Sequence, residues 1–173
     1  MSDPRASSAP EFTRPVDVGR VPPSGVVYDL DATSIERAAL AERFDLLALD
    51  RLEAEVRLER LAGGLLRLSA ALKADVVQAC VVTLEPVHDC IDEAFTVLYR
   101  AGAEAGETAL VLNGASELVE PLASDILDIG EAVAQQLSLA LDPYPRAPGA
   151  IAAALNEGQV SPFAALAKWK EKN

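Results

Sequence analysis

The chain has 173 residues, half of them apolar, enough to bury one core, and that composition excludes disorder of the whole chain. Its formal charge of −12 opposes sequence-independent attraction to a phosphate backbone. Aromatics make up only 5%, which favours helices and small-residue packing over a large aromatic ligand pocket.

Residues 1–11 are Ser, Pro and Ala with charges and read as a disordered N-terminal arm; residues 12–173 read as a single domain. Phe12 to Val18 alternates weakly, as a first strand would. Val21-Pro22-Pro23-Ser24-Gly25 is a turn, because two prolines remove two backbone donors. Val26-Val27-Tyr28 is short and β-prone. Thr33 and Glu36 have capping-box spacing, which predicts a helix from about Ser34 to Arg43.

The clearest pattern follows. Leu52, Ala54, Val56 and Leu58 alternate with Glu53, Glu55, Arg57 and Glu59, the period-two signature of a strand with one wet face. Gly63-Gly64 supplies the positive φ of a tight turn, and alternation resumes from Leu66 to Val76. The pair predicts a long antiparallel hairpin whose second arm could reach Thr83. A third core strand is predicted over Asp89–Arg100. Residues 101–106 read as a loop, Leu110–Leu112 as an edge strand or part of that loop, and Glu117–Pro121 is ambiguous.

Asp128 can cap a second helix, with Glu131 placed to reach back to it. Ile129, Val133, Leu137 and Leu141 recur every four residues, and Pro143 ends the run. Residues 143–161 then form an extended, proline-bearing linker. Ser161-Pro162 is a start signal for a C-terminal helix over 162–171, with Phe163, Leu166 and Trp169 on one face.

Charge is unevenly placed. Residues 85–142 hold twelve carboxylates and one arginine, Arg100. Bases collect at the ends, as Arg5, Arg14 and Arg20 and as Lys168, Lys170 and Lys172. An acidic middle of this kind suits a basic partner. No run of about 18 apolar residues occurs, so no membrane-spanning helix is expected. The start lacks the apolar stretch of a secretory signal, so the expected location is cytoplasmic and Cys80 and Cys90 read as reduced thiols.

Reactive chemistry is scarce. His88 is the one histidine. With Cys80 and Cys90 it offers three ligands where a structural zinc site needs about four, and no Cys-x-x-Cys pair is present. No phosphate-binding glycine loop and no nucleophile-elbow motif occurs. Trp169 among Lys168, Lys170 and Lys172 is a small version of a single-strand nucleic-acid platform, or else an amphipathic helix end that docks on its own domain or on a partner.

Three segments together resemble the YceD family, in the version found in alphaproteobacteria. The first is Gln78-Ala79-Cys80-Val81-Val82-Thr83-Leu84-Glu85-Pro86-Val87, similar to the family's Cys-x-x-Cys followed by Pro. The second runs from Asp128-Ile129-Gly130-Glu131 to Leu137-Ser138-Leu139-Ala140-Leu141-Asp142-Pro143-Tyr144-Pro145-Arg146. The third is Ser161-Pro162-Phe163-Ala164-Ala165-Leu166-Ala167. The chain departs from the pattern at Thr83, which stands where the second cysteine would be and cannot supply a thiolate. The Cys-x-x-Cys site is therefore degenerate, Cys80 with Thr83.

The resemblance implies a role in 23S ribosomal RNA accumulation and ribosome biogenesis, without an enzymatic reaction. No cofactor, metal, membrane or small-molecule substrate is expected. The expected partner is a basic large-subunit protein or assembly factor, with 23S rRNA as the alternative. Candidate partner-binding residues are Asp142, Pro143, Tyr144, Pro145, Arg146, Pro162, Phe163, Leu166 and Trp169. Candidate RNA-contacting residues are Arg146, Lys168, Lys170 and Lys172. The expected fold class is α+β: an antiparallel β-sheet or partly closed barrel with three flanking helices.

Overall fold

A computed structural model describes residues 11–101, 109–112 and 115–150. Phe12 is fully buried in the core. Strand β1 (Pro15–Asp17) follows, and then β2 (Val26–Asp31), which extends past Tyr28. Helix α1 (Ser34–Arg43) begins at the predicted capping box: Thr33 accepts from the Glu36 amide and Glu36 accepts from the Thr33 amide.

The hairpin is β3 (Ala48–Arg60) and β4 (Leu65–Ala79), turned at Ala62–Gly64 with φ of +76° at Gly63 and +74° at Gly64. Its register sets Leu58 opposite Leu68 and Ala54 opposite Leu72, so the period-two residues of both arms share one face. Leu52, Val56, Leu58, Leu68, Leu72 and Val76 are almost wholly buried there. Each buried side chain of this size contributes about 1.5–3 kcal/mol of transfer free energy. The second arm stops at Ala79 rather than reaching Thr83, because the chain turns at Cys80.

Strand β5 (Pro86–Ala101) pairs antiparallel with β4 along its whole length. Then come β6 (Ala109–Leu112), β7 (Ala115–Leu122), β8 (Ile126–Asp128) and α2 (Ile129–Ala140). The large sheet has the order β2-β3-β4-β5-β7-β6, and β1 with β8 makes a small antiparallel sheet of its own. Helix α1 packs on β3, and α2 packs on β1, β4 and β5. Ile129, Val133 and Leu137 bury the four-residue stripe in the same core as the hairpin.

One expectation about the sheet needs correction. The large sheet is mixed, not antiparallel, because β7 runs parallel to β5 with Leu98 opposite Val119. Period-two patterning marks a strand's wet face, but it carries no information about the direction of the neighbour. Here β6 lies at the sheet edge and its antiparallel mate β7 fills the place beside β5. Among the described residues two α-helices flank the sheet, and the expected third, over 162–171, lies outside those residues. Glu131 also departs from its expected role. It does not close a box on Asp128 but turns to Arg43, while Asp128 caps α2 by accepting from the Gly130 and Glu131 amides.

Candidate functional site

The β4–β5 connection, residues 80–85, is a tight loop. The Cys80 amide donates to the Glu85 carbonyl and the Leu84 amide to the Cys80 carbonyl, at 2.8 and 2.9 Å. Leu84 adopts φ +62°, an uncommon conformation for a non-glycine residue, and its side chain is 76% exposed. The Thr83 hydroxyl donates to Glu85 at 3.0 Å, tying the loop at its tip.

The chain after α2 returns to this loop. The Leu141 amide donates to the Leu137 carbonyl, and Pro143 follows where no helical amide is available. Asp142 makes a local turn by accepting from the Tyr144 amide at 2.9 Å, and its carbonyl accepts from the Gln78 side chain at 3.0 Å. The Val81 amide then donates to the Pro145 carbonyl at 2.9 Å. Pro145 is buried against the loop, whereas Tyr144 and Arg146 are exposed on either side of it.

Cys80 is the centre of this junction. Its sulfur is fully buried and accepts three amides: Val82 and Thr83 at 3.4 Å from its own loop, and Ala147 at 3.3 Å from the returning chain. The Thr83 side chain and these amide dipoles lower its pKa from 9.0 to about 6, against the opposing effect of burial. Thiolate character and inaccessibility are therefore combined. The sulfur serves as a multi-point acceptor that staples residues 145–147 to the loop.

The structure thus brings together Cys80, Thr83, Asp142, Pro143, Tyr144, Pro145 and Arg146. It does not assemble Cys80, His88 and Cys90. His88 and Cys90 lie exposed on β5 opposite Val77 and Asp75, and the bond to Asp75 and its charge raise the Cys90 pKa. Among the described residues no three His, Cys, Asp or Glu side chains form a metal-holding group. Pro162, Phe163, Leu166, Lys168, Trp169, Lys170 and Lys172 lie outside the described residues. Gln78, which opens the family-like Cys80 segment, and Ala147 also belong to the junction, although neither is among the candidate site residues read from the sequence. Ala147 contributes through its backbone, and no side-chain pattern announces that.

Val81, Leu84 and Tyr144 leave apolar surface exposed around the junction. The fold and site define an α+β domain in which a cysteine loop at a sheet end is locked by a proline-bearing segment that follows the last described helix. The model of the YceD family, described as large ribosomal RNA subunit accumulation protein YceD, matches residues 68–170, and the chain belongs to that family. The matched span includes the Cys80 loop, α2 and the returning segment. No curated protein and no solved structure matches the chain. No helix among the described residues is long and apolar enough to cross a membrane.

Proposed function

We propose that this protein is a non-enzymatic factor that supports 23S rRNA accumulation and large ribosomal subunit assembly by binding a basic ribosomal or assembly protein in the cytoplasm. The family match over residues 68–170 carries the ribosomal part of the reading. The net charge of −12 favours a protein contact, since ribosomal proteins are basic as a class and a phosphate backbone repels acid. The burial of Cys80 supports the non-enzymatic part: the one thiol with a lowered pKa is enclosed and spent on three backbone amides.

One observation favours direct RNA contact as a second reading. Tyr144 and Arg146 are both exposed beside the Cys80 loop, and such a pair can stack on a base and meet a phosphate. Co-sedimentation tests both. The first reading expects the protein to travel with large-subunit precursors and to stay with the protein fraction after ribonuclease treatment. Release by ribonuclease would favour the second, and absence from all ribosomal fractions would remove both.

A further inference from the structure

Among the described residues strand β2 is one edge of the large sheet, with β3 as its one neighbour. The Ala32 amide donates to the Leu52 carbonyl, and with the register this makes Leu30/Ala54, Tyr28/Val56 and Val26/Leu58 the hydrogen-bonded pairs. Val27, Asp29 and Asp31 therefore turn their backbone groups away from β3, towards the open side. The Asp31 carbonyl takes a guanidinium bond from Arg14 at 3.3 Å. Val27 and Asp29 have no backbone partner on that side among the described residues.

The side chains of these same residues lie on the solvent face. There Asp29 sits opposite Glu55 and Asp31 opposite Glu53. Both are pairs of the narrow, non-hydrogen-bonded kind, in which like charges oppose each other at closest range. None of the four carboxylates has an ion-pair partner among the described residues. Lys73, the nearest base in the ladder, lies 3.8 Å from Asp92 on its other flank. With Lys73 they border a shallow groove of about 500 Å³.

We propose that β2 is a docking edge at which an extended basic segment of a partner protein adds as a further strand, its alternate lysines or arginines lying over the Asp29–Glu55 and Asp31–Glu53 pairs. Strand addition satisfies the open amide and carbonyl of Val27 and of Asp29. The geometry also selects the occupant. A partner residue bonded to Asp29 points its side chain to the same face as Asp29, so a segment with bases at every second position meets both acidic pairs. A second copy pairing β2 to β2 would instead set Asp29 and Asp31 against their own images. The inference rests on the functional reading above for the partner's ribosomal character, and it adds the surface and the mode.

The test uses the full chain and a labelled ten-residue peptide that alternates lysine and threonine. Fluorescence anisotropy at 50 mM salt should show binding, several-fold weaker at 200 mM. Amide exchange should slow at Val27 and Asp29. Asp29→Asn combined with Glu55→Gln, near-isosteric changes that relieve repulsion, should weaken binding roughly tenfold, and Glu42→Gln on the exposed side of α1 should not. Unprotected Val27 and Asp29 amides, or equal affinity in the doubly neutralised protein, would overturn the proposal. So would binding seen only after Lys168, Lys170 and Lys172 are changed to serine, which would seat the chain's own end there, or a peptide that dissociates a dimer, which would seat a second copy. Co-sedimentation separates this proposal from the functional reading. A doubly neutralised protein that still travels with large-subunit precursors removes the edge and keeps the function. Peptide binding at the edge without any co-sedimentation keeps the edge and removes the function.

Discussion

The Ala147 amide donates to the Cys80 sulfur at 3.3 Å, a contact that spans 67 residues of sequence. It closes the fold, because Cys80 ends the central hairpin and Ala147 follows the last described helix. Cys80→Ala removes the acceptor of three amides at a buried position, and a buried donor without a partner is costly. The expected result is a Tm lower by on the order of 5 °C. Amide exchange at Ala147 and Val81 should accelerate in step. Cys80→Ser, which keeps a smaller acceptor, should fall between alanine and the wild type. An alanine variant with unchanged exchange at Ala147 would show that the sulfur does not hold the segment.

The same contact makes stability depend on pH. The thiol has a pKa of about 6 in the fold against its ordinary 9.0, so folding favours the thiolate. Its contribution is complete above pH 9 and is lost as the pH falls towards 6. Denaturant midpoints of wild type and Cys80→Ser should therefore diverge between pH 6 and pH 9. Parallel curves across that window would contradict thiolate stabilisation.

Some of this architecture is legible from residues alone, for a physical reason. The β3–β4 register follows from two period-two runs and a glycine pair, all within about 25 residues, and α1 starts where Thr33 and Glu36 say it should. The link from Cys80 to Ala147 has no such signature, since a backbone amide is the same in every residue but proline. Charge is the more instructive case. The acidic run over residues 85–142 stands out in one dimension, yet Asp128 caps a helix and Glu131 meets Arg43. The unpaired acids of β2 and β3 are more than 20 residues apart in sequence. They become neighbours only through the register that sets Asp29 against Glu55.

Glu36 gives a second pH dependence, at the acid end. Both its oxygens meet the Arg14 guanidinium, at 2.6 and 3.1 Å, and it also accepts the Thr33 amide. Chiefly through Arg14, its pKa is held at about 2 instead of 4.5. The stabilisation is full above pH 4.5 and fades as the pH drops towards 2. The pair is partly exposed, so Glu36→Gln is expected to cost about 1 kcal/mol at pH 7. Urea unfolding should show that cost nearly gone at pH 2.5. A cost that is the same at both pH values would assign it to packing rather than charge.

Arg43 joins three segments. Its two terminal nitrogens reach the two oxygens of Glu131 at 2.8 Å each, and it also contacts Glu11 at 3.0 Å. The planar fork matches a carboxylate, a geometry that lysine cannot copy. Arg43→Lys should therefore lose most of what Arg43→Ala loses. A double-mutant cycle between Arg43→Ala and Glu131→Gln should return a coupling of about 1 kcal/mol, reduced by salt. A coupling near zero would mean that the pair only decorates the α1–α2 contact.

Gly130 should reverse an ordinary rule. Within a helix, Gly→Ala usually stabilises by up to about 1 kcal/mol, because glycine has more conformational freedom to lose. At Gly130 an added Cβ would overlap the Phe12 carbonyl oxygen and approach the Arg14 amide at 3.1 Å. Neither obstacle can easily move. Phe12 is fully buried, the Arg14 amide donates to Asp128, and the Arg14 carbonyl accepts from the Ile129 amide. Gly130→Ala is therefore expected to cost about 1–3 kcal/mol, the penalty of forcing a methyl group into a packed contact. Equilibrium unfolding in urea measures it. A gain in stability would mean that the Phe12–Arg14 segment can lift away from α2, and the tight seat of the N-terminal strand on that helix would have to be abandoned.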